Sequence, residues 1–395
     1  QATHQTTSTL IPSARVGHTV HELPLICTHL KPSLLLLGGA DPDGTLDEAF
    51  IFSPSDGVWT KLNWEAKLSS RPSLARYEHT SAVLPDGGVI VFGGATHSGP
   101  LDDVLELRVT ENPLLANVSI SPDAGSFSAF PGEARTQHGA TCLTEHGQLL
   151  IFAGGALGNQ PVSDNQVHVY NAKSKSWSHV SATGRAPCDR LGHVLLYQCP
   201  PNQTLTEIDS HSVVPRGHLF IHGGMAGERF FDDFYQMEFS EDDEKHLIGV
   251  WRKFVDKPSS DKTSACMAPS EEDCLYQTGR IPCARAGHGG VCLVGPESPT
   301  SSTTVFIFGG VTVSGALNDM YCFDTGTRQW TEIIFEGPVP KPRLDFACCL
   351  FTKVDGDGLQ INLEKYCFFV HGGMDTDGQM FNDSWTVVLT EKNVE

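Results

Sequence analysis

An all-β fold made of six repeated four-stranded units is what this sequence predicts, and three recurring features predict it. A Gly pair closes a short apolar run six times, at Gly38-Gly39, Gly93-Gly94, Gly154-Gly155, Gly223-Gly224, Gly309-Gly310 and Gly372-Gly373. An Arg-x-x-His signature lies upstream of each pair: Arg15–His18, Arg76–His79, Arg135–His138, Arg190–His193 and Arg285–His288, with Arg343–Phe346 as a sixth version lacking the His. An acid then follows each pair at a nearly fixed offset: Asp47, Asp103, Asp164, Asp233, Asp319 and Asp383.

Each element of the unit has a physical reason. The runs before the Gly pairs ("LLLL", "VIVF", "LLIFA", "HLFIH", "VFIF", "CFFVH") are short and bounded by turn residues, the pattern of a strand buried on both faces. The Gly pair ends that second strand where the chain must take positive φ or let another backbone come close. The acids recur once per unit, so they read as structural, accepting hydrogen bonds from loop amides or pairing with the repeated Arg. Trp59, Trp177, Trp251 and Trp330 fall near a last strand and supply large apolar area between units. A single four-stranded sheet with two apolar faces cannot stand alone in water. Packing on a neighbour at each side and closing the row into a ring buries both faces and leaves no end sheet exposed.

The bulk composition agrees. The chain has 395 residues with 39 Gly and 24 Pro, many turns without collagen periodicity. Hydrophobic residues make up 39% and charged residues 19%, enough to pack a core. A net charge of -20 repels a phosphate backbone, so no nucleic acid is expected as partner. Several of the 12 cysteines sit inside apolar runs (Cys142, Cys292, Cys322, Cys348, Cys349, Cys367), which favours a reduced, intracellular, cytoplasmic chain over a disulfide framework. No run reaches the length of a membrane span. The first residues, QATHQTTSTL, lack the pattern of a signal peptide and an initiator Met, which leaves open the removal of an N-terminal segment. Sequons at Asn117, Asn202 and Asn382 matter only in a secreted chain.

The period of roughly 50–60 residues, the Gly pair, the following acid and the late Trp resemble the kelch repeat, a family of β-propellers. The resemblance covers almost the whole chain. It predicts a single domain, a six-bladed propeller with blades near 15–64, 76–120, 135–181, 190–255, 285–334 and 343–390. Residues 5–11 are expected to supply the missing outer strand of the last blade and latch the ring. Three stretches exceed tight turns and read as insertions, 199–216, 253–282 and 353–365, the second read as mobile.

The sequence carries none of the common catalytic or phosphate-binding motifs. There is no GxxxxGK[ST] and no GxGxxG opening a helix, so the Gly pairs are not phosphate loops. "HGGM" at His222 and His371 lacks a GxSxG nucleophile elbow, and both histidines read as ends of buried strands. The repeat histidines occupy equivalent places on different blades, which favours hydrogen bonding between neighbours over a converging metal site. Cys266, Cys274 and Cys283 have seven and eight residues between them, unlike a zinc spacing. No cofactor, metal or catalytic residue is therefore assigned.

Within the kelch family, "ARVGH" (14–18), "ARYEHTS" (75–81), "VFGGATHSG" (91–99), "FIHGGMAGERFFDD" (220–233), "FIFGGVTVSGALNDMY" (306–321) and "RLDF" (343–346) resemble the Rab-effector members. That resemblance implies a non-enzymatic, monomeric interaction module. Its partner would be a GTP-bound Rab GTPase, met on endosomal membranes in transport to the trans-Golgi. The alternative is a propeller enzyme or specifier protein acting on a small molecule at the central mouth. Contacts are expected in the loops after the Gly pairs: Asp41, Asp43, Thr96, His97, Arg229, Phe230, Phe231, Thr312 and Val313. Phe230, Phe231 and Arg229 stand out as an aromatic and Arg anchor, with packing of both Phe into their own unit as the competing reading.

Overall fold

The computed structural model describes residues 10–24, 32–64, 73–84, 86–110, 117–120, 129–143, 147–198, 217–241, 246–257, 274–294, 303–352 and 366–389. All regular structure among them is β. Each repeat opens on a strand: Thr19–Glu22, Thr80–Val83, Gly139–Leu143, Val194–Gln198, Gly289–Val294 and Ala347–Thr352. The apolar runs are the second strands, antiparallel to the first, as in the register Thr19↔Leu37 to Glu22↔Leu34. They are buried throughout: Leu34–Leu37, Gly88–Phe92 and Gln148–Phe152 have no exposed position. Third strands follow antiparallel, and fourth strands complete the sheet in five repeats. The sixth sheet has three strands among the described residues, ending on Ser384–Val388.

The Gly pairs turn as their residue type demands. Gly38 and Gly39 have φ of 59° and 98°, and a Cβ on Gly38 would stand 2.9 Å from the Arg76 carbonyl oxygen of the next repeat. In the third repeat the turn lies one residue earlier than the sequence reading placed it. Ala153 (φ 54°) and Gly154 (φ 106°) hold the two positions, and Gly155 has entered the next strand. Arg135 donates to the Ala153 carbonyl just as Arg76 donates to that of Gly93, which fixes the register.

Neighbouring repeats share their cores. Every hydrophobic cluster straddles two repeats, and one joins Phe369 of the sixth to Trp59 and Phe52 of the first. Each repeated Trp leans on the preceding repeat: Trp177 on Phe92 (5.2 Å between ring centroids), Trp251 on Phe152 (5.8 Å), Trp330 on Phe234 (5.2 Å) and Trp59 on Phe369 (6.4 Å). Buried aromatic area is the largest favourable contribution such a contact can make.

The chain leaving a repeat also adds a short parallel strand to the outer edge of the next. Asn63–Trp64 pairs with Asn117–Ile120, Ser181–Gly184 with Leu247–Asp256, and Thr278 and Gly279 with Gln329 and Trp330. The last of these lies in the stretch 253–282 read as a mobile insertion. That stretch in fact begins inside the strand Leu247–Asp256 and contains the strand Cys274–Gly279, which pairs with both neighbouring sheets. Only 258–273 of it, together with 199–216, 353–365 and residues 5–9, lie outside the described residues. Leu10 and Ile11 are exposed and are not part of a strand.

Candidate functional site

The repeated Arg is the hub of each repeat. Arg15, Arg135, Arg190, Arg285 and Arg343 are fully buried and Arg76 nearly so. A buried guanidinium is tolerated only when paired and hydrogen-bonded. Arg190 shows how: Nη1 donates to the Gly223 carbonyl (2.8 Å) and to Asp233 Oδ1 (2.6 Å), Nη2 to Asp233 Oδ2 (3.1 Å), and Nε to the Cys188 carbonyl (3.0 Å). Arg76–Asp103, Arg135–Asp164, Arg285–Asp319 and Arg343–Asp383 repeat the pairing. In the first repeat Arg15 pairs instead with Glu48 (2.9 Å), while Asp47 accepts from the Leu74 amide (2.9 Å). Both roles foreseen for the acids are therefore in use.

The histidines of the signature face neighbouring repeats. His79 Nε2 bonds Thr19 Oγ1 (3.2 Å), His138 Nε2 bonds Thr80 Oγ1 (2.7 Å) and His288 Nε2 bonds His222 Nδ1 (3.0 Å). At His193 the facing position is Gly139, without a hydroxyl, and neither ring nitrogen has a hydrogen-bond partner. Burial keeps these rings neutral: His79, His222 and His371 are held down at about 3, and His18, His138, His193 and His288 well below the ordinary value.

Between the Arg and the His lies a residue at the molecular axis. Gly17, Glu78, Gln137, Gly192, Gly287 and Asp345 all take positive φ, from 50° to 63°. Their backbones form a circle of hydrogen bonds of 2.7–3.2 Å: Glu78 donates to Gly17, Gln137 to Glu78, Gly192 to Gln137, Gly287 to Gly192, Asp345 to Gly287, and Gly17 to Asp345. The first strands stand side by side below this circle, the first of them against the sixth as well as the second. They enclose a channel of about 660 Å³. Its wall is hydroxyl- and imidazole-rich along the first three repeats (Thr19, His21, Thr80, Ser81, Thr141) and aliphatic opposite (Val194, Leu196, Val291). A smaller cavity of about 130 Å³ sits at the circle itself.

The loops after the Gly pairs are β-hairpins, each tied at its base to the signature of its own repeat by bridges such as Val16↔Ala40, Tyr77↔Ala95 and Leu191↔Met225. They therefore stand on one rim around the circle. Among the expected contact residues, Asp41 is half-buried and accepts from the Asp43 amide (2.9 Å), and Asp43 is exposed. Thr96 likewise caps its turn by accepting from the Ser98 amide, and His97 projects outward. Thr312 accepts from the Ser314 amide, while Val313 is 85% exposed at the tip. Arg229 is exposed and Phe230 half-buried in the hairpin Met225–Phe230. Phe231 is a correction: it is buried, with the Arg190 guanidinium 4.6 Å from its ring centroid, so it packs into its own repeat. The structure brings the remaining residues to one rim but not into one patch.

Among the described residues no group of three or more His, Cys, Asp or Glu is placed to hold a metal ion. No helix among them is long and apolar enough to cross a membrane.

The model of the KLHDC2/KLHL20/DRC7 Kelch-repeats domain matches residues 1–199 and 200–395. The chain belongs to the kelch-repeat family. It is 32% identical over 224 residues to the Rab9 effector protein with kelch motifs of Bos taurus, covering 56% of this chain and 52% of that protein. The Mus musculus protein of the same name is 27% identical over 413 residues, 96% of this chain and 90% of that one. The flagellar outer arm dynein alpha chain of Chlamydomonas reinhardtii is 23% identical over 220 residues, 4% of its length. The bovine match thus spans about half the length of that relative.

Proposed function

We propose that this kelch chain is a non-enzymatic, monomeric docking platform, a six-bladed propeller whose hairpin rim binds a GTP-bound Rab GTPase. The circle of six backbone hydrogen bonds and the shared sixth-to-first core support the ring. In this reading the outer strand beside Ser384–Val388 comes from the residues before Leu10, since Leu10 and Ile11 themselves are not in a strand. The observation that carries the function is the rim. Six hairpins share one backbone design and differ at their tips, so the fold repeats while the binding surface varies. The names of the relatives support the partner class; peripheral recruitment to endosomal membranes in transport to the trans-Golgi is part of the same proposal and rests on the family resemblance.

The test is a pull-down of purified Rab GTPases loaded with a GTP analogue or with GDP. The GTP form of one Rab is expected to be retained and its GDP form not. Arg229→Ala, on an exposed hairpin, is expected to weaken retention several-fold without shifting the melting temperature. Retention of no Rab in a nucleotide-dependent way would sink the partner class, and an unchanged Arg229→Ala would remove that hairpin from the contact.

A further inference from the structure

We propose that the cavity at the centre of the hairpin rim is a site for a primary ammonium group, presented as a lysine side chain by the protein docked on the rim. The circle has six equivalent positions. Three are Gly and one is Gln; the other two, Glu78 and Asp345, are carboxylates, and they sit on either side of Gly17. Left-handed backbone gives no reason for Glu at Glu78, where φ is 53° and Gly would be relaxed. Its carboxylate is also held in place: Oε2 accepts from the Thr136 hydroxyl (2.6 Å) and Oε1 from the Gln137 amide (2.8 Å). The Asp345 carboxylate has no side-chain hydrogen bond or ion pair among the described residues. Burial, then the charge of Glu78, pushes Asp345 up to about 7, and burial raises Glu78 as well.

A second observation points the same way. His193 is 6% exposed, lines this cavity, and leaves both ring nitrogens without a hydrogen-bond partner. Burial keeps it neutral, so one nitrogen is a lone-pair acceptor. An ammonium has three N–H donors: a carboxylate of the cavity can take one directly, and water can bridge the others to the second carboxylate and to this imidazole. No Lys or Arg lines it to neutralise the acids. A metal ion fits less well, since no three described ligands converge, whereas an ammonium bonds at about 2.9 Å and through water. Arginine fits less well too: its planar fork matches one bidentate carboxylate, and here the acids lie on two separate repeats. The thin aliphatic stem of lysine would run past Phe346 and the edges of the neutral imidazoles. The ammonium site stands on the cavity alone; its lysine source rests on the interaction reading above.

The probe is n-butylammonium, with n-butanol as the isosteric neutral control, followed by calorimetric titration and thermal unfolding of the full chain. Butylammonium is expected to bind and raise the unfolding midpoint while butanol does neither. Glu78→Gln and Asp345→Asn are each expected to weaken butylammonium at least fivefold. Equal effects of amine and alcohol, no binding of the amine, or full binding by both variants would overturn the site; should Asp345→Asn not fold, Glu78→Gln decides. For the source, the double variant should lose at least tenfold of its retention of the GTP-loaded Rab, as should the wild type when the Rab lysines are acetylated. Unchanged retention alongside butylammonium binding overturns the lysine and leaves a free amine as ligand. If no Rab is retained even by the unaltered chain, the interaction reading fails and the butylammonium titration still decides the ammonium site.

Discussion

The six Arg–carboxylate pairs are one interaction repeated at different depths, so their removal should cost different amounts. Asp233 is the deepest, with a side chain 10% exposed against a fully buried Arg190. Asp103 is the shallowest at 44%, against a nearly buried Arg76. Asp233→Ala leaves a dry guanidinium with the Gly223 and Cys188 carbonyls and the weakly accepting Cys188 Sγ as its remaining partners. An uncompensated buried charge costs about 3–5 kcal/mol, and the two remaining carbonyls place this one near the lower figure, about 3 kcal/mol. In Asp103→Ala water replaces the carboxylate, and screening at a site more than a third exposed reduces the loss to about 1 kcal/mol. Urea unfolding followed by tryptophan fluorescence reads both, provided the m-value is unchanged. A loss for Asp103→Ala equal to or larger than that for Asp233→Ala would refute the reasoning, because depth would then not set the cost.

Two further outcomes follow from single residues. Ala153 occupies a left-handed position that Gly fills in the other five repeats, at a cost of about 1–2 kcal/mol. Ala153→Gly should recover this less about 0.4–1 kcal/mol of added unfolded-chain entropy, a net gain of about 0.5–1 kcal/mol in urea unfolding; a loss of stability would show the strain argument to be wrong. The chain should also unfold in acid. His21 is held at about 4, His79, His222 and His371 at about 3, and His18, His138, His193 and His288 well below the ordinary value, all chiefly by burial. A depressed folded-state value gives stability that is present above about 6.5 and lost as pH falls below it, at about 1.4 kcal/mol per pH unit per group. Asp345, raised to about 7, works in the opposite direction, as do Glu78 and Glu22, both raised by burial, but these are three groups against eight. Circular dichroism should show cooperative unfolding near pH 5, and a chain still folded at pH 4 would mean the rings are already charged or solvated.

What the sequence made legible is what each repeat does for itself. The Gly pairs, the buried runs and the Trp residues are local signals with local causes, and they reappear where expected. Which of several candidate residues meets a given partner in space was less legible. Asp47 fits the acidic series by offset, yet Arg15 takes Glu48, because only a spatial neighbour can show which of two adjacent acids reaches the guanidinium. The turn at Ala153 was missed because "FAGG" displays its Gly pair one residue late; counting from the strand end at Phe152 would have found it. The parallel strands were not legible because neither shows a two-residue apolar period: Ser181–Gly184 is exposed throughout and pairs at an outer edge, and Cys274–Gly279, held between two sheets, buries only Cys274 and the polar Gln277.

The axial position is the instructive case. In sequence, "RVGH", "RYEH" and "RLDF" read as tolerated variants of one signature, and the third letter looks free to vary. In space that letter is the residue whose backbone bonds its counterparts in the neighbouring repeats, closing a circle about the axis. A variable position on a symmetric scaffold is ordinarily a solvated surface. Here variation places two acids on a shared cavity, one on each side of Gly17, and the cavity is also lined by His193, which like His18 has no hydrogen-bond partner on either ring nitrogen. Two acidic departures from the repeat, in the second and sixth units, thus concern one cavity. Departures that served only their own repeats would have no reason to converge. Restoring the pattern one position at a time therefore separates the two accounts. Glu78→Gly and Asp345→Gly should each stabilise the chain, by relieving strained backbone and a desolvated acid, while reducing affinity for butylammonium. If instead both substitutions destabilise it and leave affinity unchanged, the acids belong to the scaffold and the axis carries no site.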